Sequence, residues 1–151
     1  MLKTKIIGVG NELRHDDGLG IIAARRLISL VPSDVIVIED FGEGTSLMNN
    51  WENANKVIII DAVNAEYEPG KIIRLCANHG PIPGKFFNYS THAFGVAEAI
   101  ELTRSIDELP MELILFGIQG MEFGSGIGLS IKVKKSMDRL VELVLNEILE
   151  K

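Results

Sequence analysis

A single cysteine, Cys76, stands among 151 residues. It excludes an intrachain disulfide and any thiolate-rich zinc site, so a metal site here would have to be built from His, Asp and Glu. The same scarcity reads as a protein of a reducing compartment, most simply the cytoplasm. Long hydrophobic runs are also missing. The longest purely aliphatic run is Val57-Ile58-Ile59-Ile60, against the ~20 residues a membrane helix needs. The start of the chain does not read as a secretory signal, because Gly8, Gly10 and Asn11 interrupt its apolar stretch at once. Positive charge is in deficit too. Lys plus Arg number 15 against 21 Asp plus Glu, a net charge of −6. That argues against nucleic-acid binding, which depends on cations neutralising phosphates, and against attraction to anionic membranes. Walker A, H-E-x-x-H and G-x-S-x-G motifs are absent from the sequence.

Hydrophobic residues make up 46% and charged residues 24%, an ordinary globular balance. The length suits one domain over residues 1–151, since two separate cores would leave each short of apolar surface. The elements alternate. Lys3 to Val9 reads as a buried strand, Gly18 to Val31 as a helix stopped by Pro32, and Val35 to Glu39 as a second strand. Leu47 to Trp51 reads as a short helix, and Lys56 to Val63 as a central strand covered on both faces. Lys71 to Cys76 follows after a turn at Pro69-Gly70, a connection too short for a crossover helix, so it is expected to run antiparallel to the strand before it. Ala77 to Ser90 carries Gly80, Pro81, Pro83 and Gly84 and reads as a long loop. Thr91 is placed to cap a helix reaching Arg104; Met111 to Ile118 is the last strand; Gln119 to Leu129 is a Gly-rich loop; Ser130 is placed to cap the final helix. The order predicts an α/β fold: a twisted, mostly parallel five-stranded sheet with one antiparallel strand and helices on both faces. Ligands of such folds sit beyond the carboxyl ends of the strands, with the first and third strands expected as neighbours.

Gly8-Val9-Gly10-Asn11 follows a strand and precedes a helix, but Leu13 occupies the place of the third glycine of a dinucleotide fingerprint. The acidic pair Asp16-Asp17 would also repel a pyrophosphate. Capping is the first reading of Asp16-Asp17-Gly18, because carboxylates at a helix start satisfy free N–H groups and complement the dipole. Asp61 ends the Ile58-Ile59-Ile60 run, and a turn role and a working role are equally open. His92 opens a helix, where a structural role would be ordinary. Together, Asp17, Asp61 and His92 map to one edge of the expected sheet, and an O,O,N set of this kind can hold a divalent metal with open positions. Gly42 and Thr45 could approach a bound peptide backbone, although a tight turn explains the glycine. Cys76 reads as a small buried residue. Glu12, Glu43, Glu98 and Glu101 read as solvated charges, and His15 and His79 likewise as solvated.

Four stretches, in this order, resemble the hydrogenase maturation proteases: Gly8-Val9-Gly10-Asn11-Glu12-Leu13-Arg14-His15-Asp16-Asp17-Gly18-Leu19-Gly20, Asp40-Phe41-Gly42-Glu43-Gly44-Thr45, Ile59-Ile60-Asp61-Ala62 and Ser90-Thr91-His92. Phe116-Gly117-Ile118-Gln119 and Ile127-Gly128-Leu129-Ser130 add to the likeness. The resemblance implies an α/β sandwich and an endopeptidase that trims the C-terminus of the precursor of a nickel–iron hydrogenase large subunit. It implies Asp17, Asp61 and His92 as the residues that contact metal, with Asp16 left to capping, and Gly42 in the turn tied to substrate recognition. The metal it implies is nickel, carried in by the substrate and not retained by the enzyme. Two mechanisms fit: a metal-polarised carbonyl or water, and a proton-sharing pair of Asp17 and Asp61. The alternatives from other classes are a nickel- or precursor-binding accessory protein without enzymatic activity and a small nucleotide-binding enzyme. Subunit specificity is expected from the loops Ala77 to Ser90 and Gln119 to Leu129. The oligomeric state is left open.

Overall fold

In the computed structural model, which describes residues 3–87 and 94–149, strands and helices alternate along the chain. The order is β1 (Thr4–Val9), a 3-10 turn (His15–Gly18), α1 (Leu19–Leu27), β2 (Val35–Asp40), α2 (Gly44–Trp51), β3 (Lys56–Val63) and β4 (Ile72–Cys76). Two further 3-10 turns (Ala77–His79 and Gly84–Phe87) lead towards α3 (Val96–Ser105), β5 (Glu112–Gln119) and α4 (Ile131–Leu149). The strands form one five-stranded sheet in the order β2-β1-β3-β5-β4. All pairs are parallel except β4 with β5. The expected fold class and the β1–β3 pairing are therefore both present.

Alternate side chains of β3 enter two different cores, as the two-residue period of a strand requires. Val57, Ile59 and Val63 pack with Leu47 and Trp51 of α2 and with Val96, Ala99 and Ile100 of α3. Ile58, Ile60 and Ala62 pack with Leu19, Ala23 and Leu27 of α1 and with Met137, Leu140 and Val144 of α4. Burial on both sides explains why this stretch shows no polar alternation. Among the described residues no helix is long and apolar enough to cross a membrane.

Several local expectations shift. β4 is antiparallel, but its partner is β5, not β3. The connection from β3 passes across the end of β5, where Gln119 holds it: the Gln119 side-chain oxygen accepts from the N–H groups of Ala65 (2.8 Å) and Tyr67 (3.3 Å). The first helix ends at Leu27; the N–H groups of Leu30 and Val31 both turn back to the Leu27 carbonyl. Pro32 disfavours a helical Val31, so the last turn unwinds early. α2 begins at Gly44, earlier than expected, because the Glu43 carboxylate accepts from the N–H groups of Thr45 and Ser46. α3 begins at Val96, with Glu98 reaching back to the Gly95 N–H at 2.8 Å; the expected cap, Thr91, lies outside the described residues.

Candidate active site

β1 and β3 run side by side, with Gly8 level with Ile60, so Gly10 and Asp61 lie at the same carboxyl edge. The chain leaves β1 through a turn that only glycine permits at one point. Gly10 has φ +144°, and a Cβ there would fall 1.8 Å from the Asp17 carbonyl oxygen. That close approach seats the 3-10 turn on the end of the sheet, against β3. Asp17 is held there twice by Asn11, whose N–H donates to the Asp17 carboxylate (3.1 Å) and faces its carbonyl (3.3 Å). Both Asp17 and Asp61 are buried, at 8% and 4% exposure. Asp61 accepts from the N–H of Ala62 at 2.7 Å. The alternation along β3 gives Asp61 the face shared with Ile59 and Val63, under α2 and α3.

Two of the three expected metal-contacting residues are thus buried carboxylates at one sheet edge. The third, His92, lies outside the described residues. On either side of it, Phe86 and Phe94 are fixed at this same edge: the Phe86 carbonyl accepts from the N–H of Asn64 (2.9 Å), and the Phe94 carbonyl from that of Gly44 (2.7 Å). Among the described residues no group of three His, Cys, Asp or Glu side chains is arranged to hold a metal ion. Asp17 and Asp61 are hard oxygen donors, the kind of ligand that suits a divalent ion held loosely.

The loop after β2 carries the two other candidates. Gly42 is buried, with φ +96°, and its N–H donates to the Asp40 carboxylate at 2.7 Å. Thr45 is exposed at the start of α2. Asp40 organises this loop, and sequence reasoning missed it. Only 6% exposed, it also accepts from the Ser46 hydroxyl (2.8 Å) and the Asn50 amide (2.6 Å). A signal was present: an acid at a strand end, followed by polar residues six and ten positions on, which share one helix face. A cleft of about 360 Å³ opens between this loop and the β1 turn, lined by Gly10, Leu13, Glu39 and Phe41 among others. Arg25 lies in it, fully engaged by Glu12 (2.7 Å) and Glu39 (3.1 Å). The hydrogen bond from Arg25 holds the Glu12 carboxyl below its usual range, and the two carboxylates push the guanidinium up.

Asp16 does not cap the helix. It is 0% exposed and faces the β5–α4 loop, where it accepts from the N–H groups of Met121, Glu122 and Ser130 and from the Ser130 hydroxyl. Ser130 stands directly before α4 as expected, but its hydroxyl serves Asp16. His15 is not simply solvated. Its Nδ1 lies 3.0 Å from the Gly128 carbonyl, and its ring leaves no room for a side chain at Gly126. His79 is exposed and Cys76 only half-buried. All four glutamates read as solvated have structural partners: Glu43 and Glu98 sit at helix starts, and Glu12 and Glu101 pair with Arg25 and Arg104.

A family model described as hydrogenase maturation protease matches residues 26–147. The hydrogenase 2 maturation protease of Escherichia coli is 28% identical over 153 aligned positions, covering 99% of this chain and 92% of that protein. Among solved structures, the hydrogenase maturating endopeptidase HybD from E. coli superposes with a TM-score of 0.84 at 26% identity, covering 97% of this chain and 92% of the other. The [NiFe] hydrogenase maturation protease HybD from Thermococcus kodakarensis gives 0.70 at 26% identity, with 99% and 100% covered.

Proposed function

The chain belongs to the hydrogenase maturation protease family, and from that premise we propose that it removes a C-terminal peptide from the nickel-loaded precursor of a nickel–iron hydrogenase large subunit, in the cytoplasm. Asp17, Asp61 and His92 contact nickel that arrives with the precursor. The observation that supports this reading most is the placement of two buried carboxylates at one sheet edge: Asp61 on β3, and Asp17 on the 3-10 turn that follows β1 and packs against β3. Carboxylate oxygens gathered at this edge are donors that a nickel ion presented by the precursor can use.

The scissile amide is then held beside the carboxylates, and the metal, when present, polarises its carbonyl or lowers the pKa of the attacking water. Asp17 or Asp61 takes a proton from the water as its oxygen adds to the carbonyl and returns it to the amide nitrogen as the C–N bond breaks, so that the cut peptide leaves with a free amine. Gly42 and Thr45, on the loop fixed by Asp40, flank the approach of the precursor backbone. Incubating the chain with nickel-loaded precursor and weighing the product by intact mass spectrometry tests the proposal. A shortened precursor with the wild-type protein, and an unshortened one with Asp17→Asn or Asp61→Asn, is the expected result. An uncut precursor with the wild-type protein would overturn it.

A further inference from the structure

Asp16 has no exposed surface at all, and among the described residues no cation pairs with it. Its carboxylate instead collects four hydrogen bonds: Oδ1 from the N–H of Ser130 (2.8 Å), and Oδ2 from the N–H groups of Met121 (2.8 Å) and Glu122 (2.9 Å) and the Ser130 hydroxyl (2.9 Å). The donors stand at the two ends of the β5–α4 loop, so one side chain closes the neck of that loop. The backbone adds to the seam. The N–H of Asp16 donates to the Glu122 carbonyl, that of His15 to Gly126, and that of Gly126 to Leu13, each at 2.9 Å.

This seam connects the two candidate acids. Asp17 follows Asp16 on a 3-10 turn of four residues, too short to hold its own position by internal hydrogen bonds. The loop on the other side of the seam grows out of β5, whose Gly117 is level with Asp61 of β3. A rigid path therefore runs from Asp17 through Asp16, the loop neck and β5 to Asp61. Fully desolvating a carboxylate costs several kcal/mol, and helix capping would not call for it. Precise placement of its neighbour would, because a misplacement of about 1 Å in a reacting group lowers rates on the order of a hundredfold.

We propose that Asp16 is a positioning residue for peptide cleavage: by clamping the β5–α4 loop, it fixes the place of Asp17 relative to Asp61. The inference rests on the role given to Asp17 and Asp61 above. Asp16 itself touches no substrate.

The test is cleavage of nickel-loaded precursor by the full chain, with kcat expressed per folded molecule from circular dichroism at the assay temperature. Asp16→Asn should lower kcat by about ten- to a hundredfold, a larger factor than any rise in KM, since the clamp acts on the placement of Asp17. Ser130→Ala, which removes one of the four donors, should lower kcat by a smaller factor, and Ser130→Thr, which keeps a hydroxyl, should restore it. A purely structural role would lower the melting temperature of these variants without moving kcat per folded molecule. Wild-type kcat in folded Asp16→Asn overturns the proposal. If Asp16→Asn does not fold, the Ser130 pair decides: loss in Ser130→Ala with recovery in Ser130→Thr supports it, and unchanged kcat in Ser130→Ala overturns it. Failure of the wild-type protein to cut the precursor would instead strike the protease reading, so the two failures are distinct.

Discussion

Lys56, at the start of β3, and Glu147, near the end of α4, are joined twice. Their charged groups lie 3.5 Å apart, and the ammonium also donates to the Glu147 backbone carbonyl at 2.6 Å. Arg74 of β4 completes the cluster, its Nε donating to the Glu147 carboxylate at 2.6 Å. This group pins the last helix to the sheet at the end opposite the candidate site. The Arg74 hydrogen bond, aided by the charges of Arg74 and Lys56, holds the Glu147 carboxyl below its usual range despite burial.

That depressed ionisation makes stability depend on pH. A carboxyl whose pKa is lower folded than unfolded contributes stability above its unfolded value and loses it as pH falls through the folded one. The contribution of Glu147 should be intact at neutral pH and fade below about pH 4.3. Glu147→Gln should therefore cost about 1–3 kcal/mol at pH 7, less than a fully buried pair because Arg74 is half-exposed. Thermal melts of both proteins from pH 7 to pH 3 check this: the gap between the curves should narrow towards the acid end.

Asp40 anchors the loop that carries Gly42 and the start of α2. Asp40→Ala removes acceptors for the Gly42 N–H, the Ser46 hydroxyl and the Asn50 amide together. A loss of about 2–4 kcal/mol follows, or roughly 5–15 °C in melting temperature for a domain of this size. Differential scanning calorimetry reads it directly. KM for the precursor should rise in the same variant, because the loop beside the cleft is released.

Gly10→Ala tests the seat of the 3-10 turn. The new methyl would meet the Asp17 carbonyl at 1.8 Å and sit on a backbone with φ +144°. No side-chain rotation relieves a clash with backbone, so the turn must move. The variant should lose at least about 1–3 kcal/mol from the strained backbone alone and cleave precursor more slowly per folded molecule. Comparing its folded fraction with its cleavage rate separates the two effects.

His92→Ala distinguishes the two chemistries. If His92 ligates the substrate's nickel, cleavage falls below detection, because two carboxylates alone hold the ion poorly. If Asp17 and Asp61 share a proton and activate water by themselves, cleavage slows by about ten- to a hundredfold and persists. A progress curve on nickel-loaded precursor, followed by intact mass, gives the answer.

What the chain announced locally, it kept. The unbroken apolar run Val57–Ile60 became the central strand, and the helical spacing of Met137, Leu140, Val141 and Val144 became the buried face of α4. The placement of Asp17 and Asp61 at one sheet edge was legible because strand and helix boundaries located it. Asp16 was misread as a cap because its partners stand more than a hundred positions away, and no local pattern distinguishes it from its neighbour. β4 was given the wrong partner for a similar reason. A short connection implied a hairpin, whereas the side-chain oxygen of Gln119 accepts from the N–H groups of that connection at the carboxyl end of β5.

The strap over Gln119 bears on how the chain assembles. Ile72–Cys76 is made before Glu112–Gln119, yet its seat in the sheet is the outer edge of that later segment. No hairpin is available to shelter it in the meantime, so the fourth strand emerges during synthesis as an unpaired ribbon and waits until the fifth has been threaded in beside β3. Closing such a distant contact is slow, so the backbone groups of residues 72–76 stay open to other partners until the fifth strand arrives.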